Sequence, residues 1–249
     1  MIDVAFTRAD LRHCDVAVVL DVLRATSTAA QALAAGYETV LCAESVERAI
    51  ELRAPGRVLA GERRCVMPPG FQMGNSPLEA MRVHGPQLVL ATTNGAPTIL
   101  AAARHARTVL LGSLLNLEAV VAAIRAEDVQ VVCSGTDGAV ALEDVYAAGR
   151  LCARLDGPRA DSARVAEAVA RAYPAPIDAL AASDDARVLD AAGLGDDIAY
   201  CARESVLDVV PRVAGATPGA ATVISVTGAF AHPDGADRLH AMPDAEPAA

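Results

Sequence analysis

Lysine is absent from the 249-residue sequence, and all 21 basic residues are arginine. That removes a Schiff-base lysine, and pyridoxal-type chemistry with it. It also removes the phosphate loop in which a lysine contacts nucleotide phosphates. Tryptophan is absent and aromatic residues make up 3%, so alanine, valine and leucine must fill the core. With 53% hydrophobic residues, there is material for one large α/β domain or two small lobes. No segment approaches about 20 uninterrupted apolar residues, so no membrane-spanning helix is expected. The amino-terminal stretch carries acids and no long apolar run, which does not read as a signal peptide.

Net positive charge is also missing: the formal charge is −10, which argues against nucleic acid as the main partner. A small anionic substrate stays compatible, because a few arginines can reverse the field inside a cleft. The six cysteines, at 14, 42, 65, 133, 152 and 201, show no zinc or thioredoxin spacing. They read as small hydrophobes in a reducing, cytoplasmic setting. An oligomer is compatible with the apolar content, although no seam stands out.

The chain is organised around residues 16–28. Val16-Ala17-Val18-Val19-Leu20 reads as a buried parallel strand. It ends on Asp21, Arg24, Thr26, Ser27 and Thr28, and a helix then runs to Gly36. A strand end that opens into a helix amino terminus is where open α/β sheets place ligands, anions above all. The device recurs at Glu62 and Arg63, at Thr92, Thr93, Asn94 and Gly95, at Ser113 and Asn116, and at Ser134 and Gly135. In a parallel sheet such ends share one edge and can converge. Residues 65–78 break the periodicity and read as an ordered loop over a site. Asn75, Ser76 and Pro77 then start a helix, Pro77 at its first position.

Segments 15–36 and 128–149 have equal length, open on Asp-Val-x-Val-Val and close on Ala-Ala-Gly. They suggest two copies of one unit, one per lobe. The expected architecture is a three-layer α/β/α fold with a mostly parallel sheet in a domain of residues 1–230. Two similar lobes would divide near 125/126. A strand is expected at 222–226, and a disordered tail at 231–249.

These segments together resemble the 2-phosphosulfolactate phosphatase family. The likeness lies in Asp21-Val22-Leu23-Arg24-Ala25-Thr26-Ser27-Thr28, Gly61-Glu62-Arg63, Gly74-Asn75-Ser76-Pro77-Leu78-Glu79, Thr92-Thr93-Asn94-Gly95, Gly112-Ser113 with Asn116, and Gly135 with Glu143-Asp144. It extends to Ser183, Gly193, Asp197, Cys201 and Pro211. The resemblance implies a magnesium-dependent phosphatase that converts 2-phospho-3-sulfolactate to 3-sulfolactate, a step of coenzyme M biosynthesis. Ala96-Pro97, Gln72 and Ala141 depart from the family pattern, which usually has Thr-Arg, an acid and a hydroxyl residue there. An arginine at 97 could have contacted an anionic substituent. A phosphatase for another 2-phosphorylated hydroxy acid is therefore the alternative, beside a non-catalytic anion-binding module.

The residues suit that chemistry. Arg24 and Arg63 are expected to bind oxyanions through the guanidinium fork. Magnesium takes one or two carboxylates plus waters and substrate oxygens. Asp21, Glu62 and Asp144 are expected around the metal, with Glu143 a further acid more suited to a structural role. Asp21 is also a catalytic candidate. Thr26, Ser27, Asn75, Ser76, Thr92, Thr93, Asn94, Gly95, Ser113 and Asn116 are expected to line the substrate site, several of them as helix caps. The five histidines lie outside these motifs, which disfavours a phosphohistidine.

Overall fold

A computed structural model describes residues 1–226. The strands are β1 (Ile2–Ala5), β2 (Cys14–Leu20), β3 (Thr39–Ala43), β4 (Arg57–Gly61), β5 (Gln87–Ala91), β6 (Ala106–Gly112), β7 (Val129–Cys133), β8 (Val210–Thr217) and β9 (Ala220–Val226). The helices are α1 (Ala25–Ala34), α2 (Val46–Glu51), α3 (Pro77–Ala80), α4 (Gly95–His105), α5 (Leu117–Ala123), α6 (Leu142–Cys152), α7 (Asp161–Ala172), α8 (Pro176–Ala181), α9 (Asp184–Ala191) and α10 (Gly195–Cys201). The strands form one sheet in the order β1-β7-β2-β6-β8-β9-β3-β5-β4.

The sheet has two parallel parts, β1-β7-β2-β6 and β3-β5-β4. The antiparallel hairpin β8-β9 is inserted between them and pairs antiparallel on both sides. Three successive antiparallel ladders leave the two parts running in opposite senses. The strand ends therefore do not share one edge of a simple parallel sheet, as the sequence pattern suggested. They converge by another route. Residues of both parts (Ala17, Val19, Leu111, Val40, Ala60, Leu90) share one core with α1 and α4. The accumulated twist of the sheet wraps it around these two helices and brings the ends of β2 and β5 together.

The other layers follow from strand alternation. Val16, Val18 and Leu20 face away from α1 and bury against α5, α6 and α7. Leu59 and Val89 pack with Ala49 of α2 on the outer face of the second part. Every residue of α1 from Ala25 to Leu33 is buried, and its small alanines and hydroxyls let it sit inside the wrapped sheet.

The similar segments 15–36 and 128–149 are neighbours: β2 pairs with β7, Val16 opposite Val129. They lie in the same part of the sheet, not one per lobe, and β7 sits between β1 and β2 across the 125/126 boundary. The expected strand at 222–226 lies within β9, but β8 was not anticipated. Its sequence Val-Pro-Arg-Val-Ala-Gly-Ala-Thr lacks an apolar alternation, although Pro218-Gly219 marks the turn and Gly219 has φ +74°. The disorder expected for 231–249 lies outside the described residues.

Candidate active site

The site forms where the amino termini of α1 and α4 meet. Asp21 follows β2, and its Oδ1 accepts the Ala25 N–H at 2.8 Å. Its main-chain carbonyl accepts the Thr26 N–H at 3.0 Å. The Thr26 hydroxyl accepts the Asp21 N–H at 3.0 Å and donates to the Asp21 carbonyl at 2.9 Å. Ser27 donates to the Val22 carbonyl at 2.8 Å. Both hydroxyls are fully buried and hold the turn, so the expectation that they line a ligand is replaced by a structural role.

From the other side comes α6. Asp144 accepts the Val22 N–H at 2.8 Å and the Gly135 N–H at 3.2 Å, clipping together the loops after β2 and β7. Gly135 has φ +63°, and a Cβ there would stand 2.2 Å from the Ala139 carbonyl oxygen. Only glycine can offer its N–H in that conformation. Glu143 is 2% exposed, and its Oε2 has no hydrogen-bond partner. Asp185, in the first turn of α9, is half-buried and accepts the Thr136 hydroxyl. It was missed in the sequence because an acid behind the helix cap Ser183 reads as ordinary first-turn chemistry.

These carboxylates shape one another. Burial, then the neighbouring Asp185 and Glu62, push Asp21 up to about 6 against the pull of the Ala25 N–H and Arg24. Burial, then Asp144 and Asp185, push Glu143 up to about 9. Asp144 is also raised, by burial first and by Asp21 next. So much negative charge in a poorly solvated place favours a cation or shared protons.

The second part of the sheet contributes Glu62, which accepts the Thr93 N–H at 3.0 Å, the Thr93 hydroxyl at 2.8 Å and the Cys65 N–H at 3.0 Å. Thr92 accepts the Ala96 N–H at 2.9 Å, and Asn94 accepts the Asp137 N–H at 3.2 Å. Gly95 lies against Asp21: a Cβ there would stand 2.6 Å from Asp21 Oδ2. Asn75 and Ser76 are buried; Asn75 Oδ1 is unpartnered, while Ser76 caps α3. Arg24 is 3% exposed, and its Nη1 donates to Asp197 of α10.

Two expectations fare differently. Ser113 and Asn116 form a closed turn, in which Asn116 Oδ1 accepts the Ser113 N–H and hydroxyl, and Nδ2 donates to the Leu111 and Val209 carbonyls. Their polar atoms are spent on each other and on the backbone, which gives the pair a structural role. Arg63 is exposed and pairs with Glu47 at 2.8 Å. It lines a cleft of about 210 Å³ with Glu62, Thr92 and Thr93, and does not join Arg24 in the buried site. His13 and His105 stand apart, in a cleft at the amino ends of β2 and β6.

Among the described residues, no three His, Cys, Asp or Glu side chains form a ready-made ligand shell. Magnesium asks less than that, one or two carboxylates with waters. The unpaired Glu143 oxygen and the all-oxygen donor set around it fit this requirement. No described helix is long and apolar enough to cross a membrane.

Known proteins are similar to this chain in sequence. A family model described as 2-phosphosulpholactate phosphatase matches residues 5–216. A probable 2-phosphosulfolactate phosphatase of Thermus thermophilus is 42% identical over 214 residues, covering 82% of this chain and 90% of the relative. The corresponding protein of Deinococcus radiodurans is 40% identical, covering 82% and 90%. The 2-phosphosulfolactate phosphatase of Methanothermobacter thermautotrophicus is 35% identical over 196 residues, covering 78% and 84%. The chain belongs to the 2-phosphosulfolactate phosphatase family, a family of phosphoric monoester hydrolases.

Proposed function

We propose that this phosphatase hydrolyses 2-phospho-3-sulfolactate to 3-sulfolactate and phosphate with the help of Mg²⁺, in the service of coenzyme M biosynthesis. The observation that carries the reading is a buried arginine beside a buried carboxylate cluster, at the meeting of two helix amino termini. The substrate carries phosphate, carboxylate and sulfonate groups, so a cationic anchor is needed inside an acidic protein. Arg24 supplies it, binding phosphoryl oxygens through its guanidinium fork. The amino ends of α1 and α4 add favourable dipoles.

One or two of the carboxylates Asp21, Glu143 and Asp144 would hold Mg²⁺, with waters and substrate oxygens completing the shell. When bound, the ion would neutralise phosphoryl charge and lower the pKa of water. Asp144 and Glu62 keep the loops in place through the N–H groups they accept. Water attacks phosphorus, the P–O ester bond breaks, and the leaving alkoxide takes up a proton. Direct attack is favoured over a phospho-aspartate. Asp21 has one oxygen tied to the Ala25 N–H and the other pressed against Gly95, which leaves little room for in-line approach to phosphorus.

The test is phosphate release from 2-phosphosulfolactate and a panel of other 2-phosphorylated hydroxy acids, with Mg²⁺ or with chelator, for wild type and Asp21→Asn. Chelator-sensitive release on the sulfonated substrate, abolished by the substitution, is expected. Release indifferent to chelator would remove the metal. Preference for another panel member would reassign the substrate.

A further inference from the structure

Arg24 is not held by the carboxylate cluster. Its Nη1 donates at 2.5 Å to Asp197 Oδ2, and the other Asp197 oxygen accepts the Ser76 hydroxyl at 2.7 Å. Arg24, Asp197 and Ser76 are 3%, 1% and 5% exposed. Asp197 comes from α10, Ser76 caps α3, and Arg24 leads into α1. One carboxylate therefore ties together three elements that are remote in the chain.

Taking such a pair out of water is costly, and a well-packed apolar replacement is often as stable. Stability alone is thus a weak reason for its presence. Geometry gives a better one. A guanidinium has five N–H donors, and among the described residues its hydrogen bond is the single one to Asp197. Fixing Nη1 restrains one end of the fork and leaves other donors for an oxyanion. On the opposite side, the Ser76 hydroxyl donates to the second Asp197 oxygen, so the carboxylate is itself held from two sides.

We propose that Asp197 is a positioning residue of the phosphatase: held on its far side by Ser76, it fixes the Arg24 guanidinium so that its remaining donors meet the substrate's anionic groups in one arrangement. The inference rests on the reading of Arg24 as an oxyanion ligand. Asp197 touches neither substrate nor metal in this role. It acts through the orientation of the guanidinium that does the binding.

The experiment measures inorganic phosphate binding by calorimetry, with KM and kcat where turnover is present and thermal unfolding as a control. The variants are Asp197→Asn, Ser76→Ala, Arg24→Gln and the double variant Arg24→Gln/Asp197→Asn. Asp197→Asn should weaken phosphate binding by about tenfold or more, with KM raised more than kcat is lowered. Ser76→Ala should weaken it in the same sense by a smaller factor. Once Arg24 is glutamine, removing Asp197 should change phosphate affinity by less than about twofold, because its target is gone. Loss of Asp197 as one half of a buried pair endangers folding. If Asp197→Asn does not fold, Ser76→Ala and the comparison of Arg24→Gln with the charge-neutral double variant decide the matter. Wild-type phosphate affinity in a folded Asp197→Asn or in Ser76→Ala, or an undiminished effect of Asp197→Asn in the Arg24→Gln background, overturns the proposal. Unchanged phosphate affinity in Arg24→Gln would instead overturn the reading of Arg24 as the anion ligand.

Discussion

Asp21 and Gly95 meet across the two parts of the sheet. A Cβ on Gly95 would stand 2.6 Å from Asp21 Oδ2 and 2.4 Å from the Ala25 Cβ. The neighbour on one side is the first residue of α1 and on the other a carboxylate tied to that helix, so neither can swing away. Gly95→Ala is expected to push the start of α4 off α1, at about 1–3 kcal/mol of stability. Activity should fall by about 100-fold, the scale of a misplacement near 1 Å. Thermal unfolding and kcat/KM check this; a fully active Gly95→Ala enzyme would move the chemistry elsewhere.

The acid cluster predicts an unusual pH response in the metal-free protein. Glu143 stands near 9 and Asp21 near 6 when folded, against ordinary values of 4.5 and 3.8. A carboxyl raised on folding stabilises the fold while protonated, and that contribution disappears as pH rises through the folded value. Melting temperature without metal should therefore decline from about pH 5 to about pH 9. Glu143→Gln, which mimics the protonated acid, should flatten the decline and be more stable than wild type at its alkaline end. Mg²⁺ should restore wild type there and help the variant less. An equal slope in both proteins would show that Glu143 is not its source.

Part of this arrangement is legible in the sequence, and what is not has physical reasons. The strand-helix unit at Asp21 and Arg24 was readable because a β-branched run gives way abruptly to an acid, an arginine and hydroxyls. The roles of Thr26, Ser27, Ser113 and Asn116 were not. A hydroxyl or amide at a strand end serves a turn as readily as a ligand, and only the hydrogen bonds decide. The direction of the second part of the sheet was hidden as well. It is set by a hairpin whose first strand carries Pro211 and little hydrophobic alternation. Asp197 and Asp185 come from helices far along the chain, and no local pattern says that their carboxylates reach Arg24 and Thr136.

Arg24 and Arg63 offer a direct comparison. Arg24 is buried and tied to Asp197, whereas Arg63 is 65% exposed and pairs with an equally exposed Glu47. An exposed pair contributes about 0–1 kcal/mol. Arg63→Ala should leave melting nearly unchanged and lower kcat/KM by less than about tenfold, as for a charge at the rim. Arg24→Gln should lower kcat/KM by at least about 100-fold, as for a lost oxyanion donor. Equal losses in the two variants would bring Arg63 into the site, through motion of the Glu62–Cys65 turn.

Acid stability should depend on a network at the other end of the fold. Arg12 binds Asp3 at 3.0 Å and grips both Asp128 oxygens at 2.8 and 2.9 Å, joining β1 to the start of β7. The Arg12 hydrogen bonds hold Asp128 below its ordinary 3.8. For Asp3, burial works upward, but hydrogen bonds from Ser162, Arg12 and Gln130 outweigh it and the value is lowered. A carboxylate depressed on folding contributes stability above its ordinary value, and that contribution is lost as pH falls through the folded one. All three side chains are partly open to solvent, so the network is worth about 1 kcal/mol. Arg12→Gln should melt about 2–4 °C lower than wild type at neutral pH. The gap should narrow once pH falls below 3.8 and the carboxylates protonate in both proteins. Melting curves from neutral to strongly acidic pH measure this directly, and a gap that persisted in strong acid would assign the loss to Arg12 packing instead of its charge.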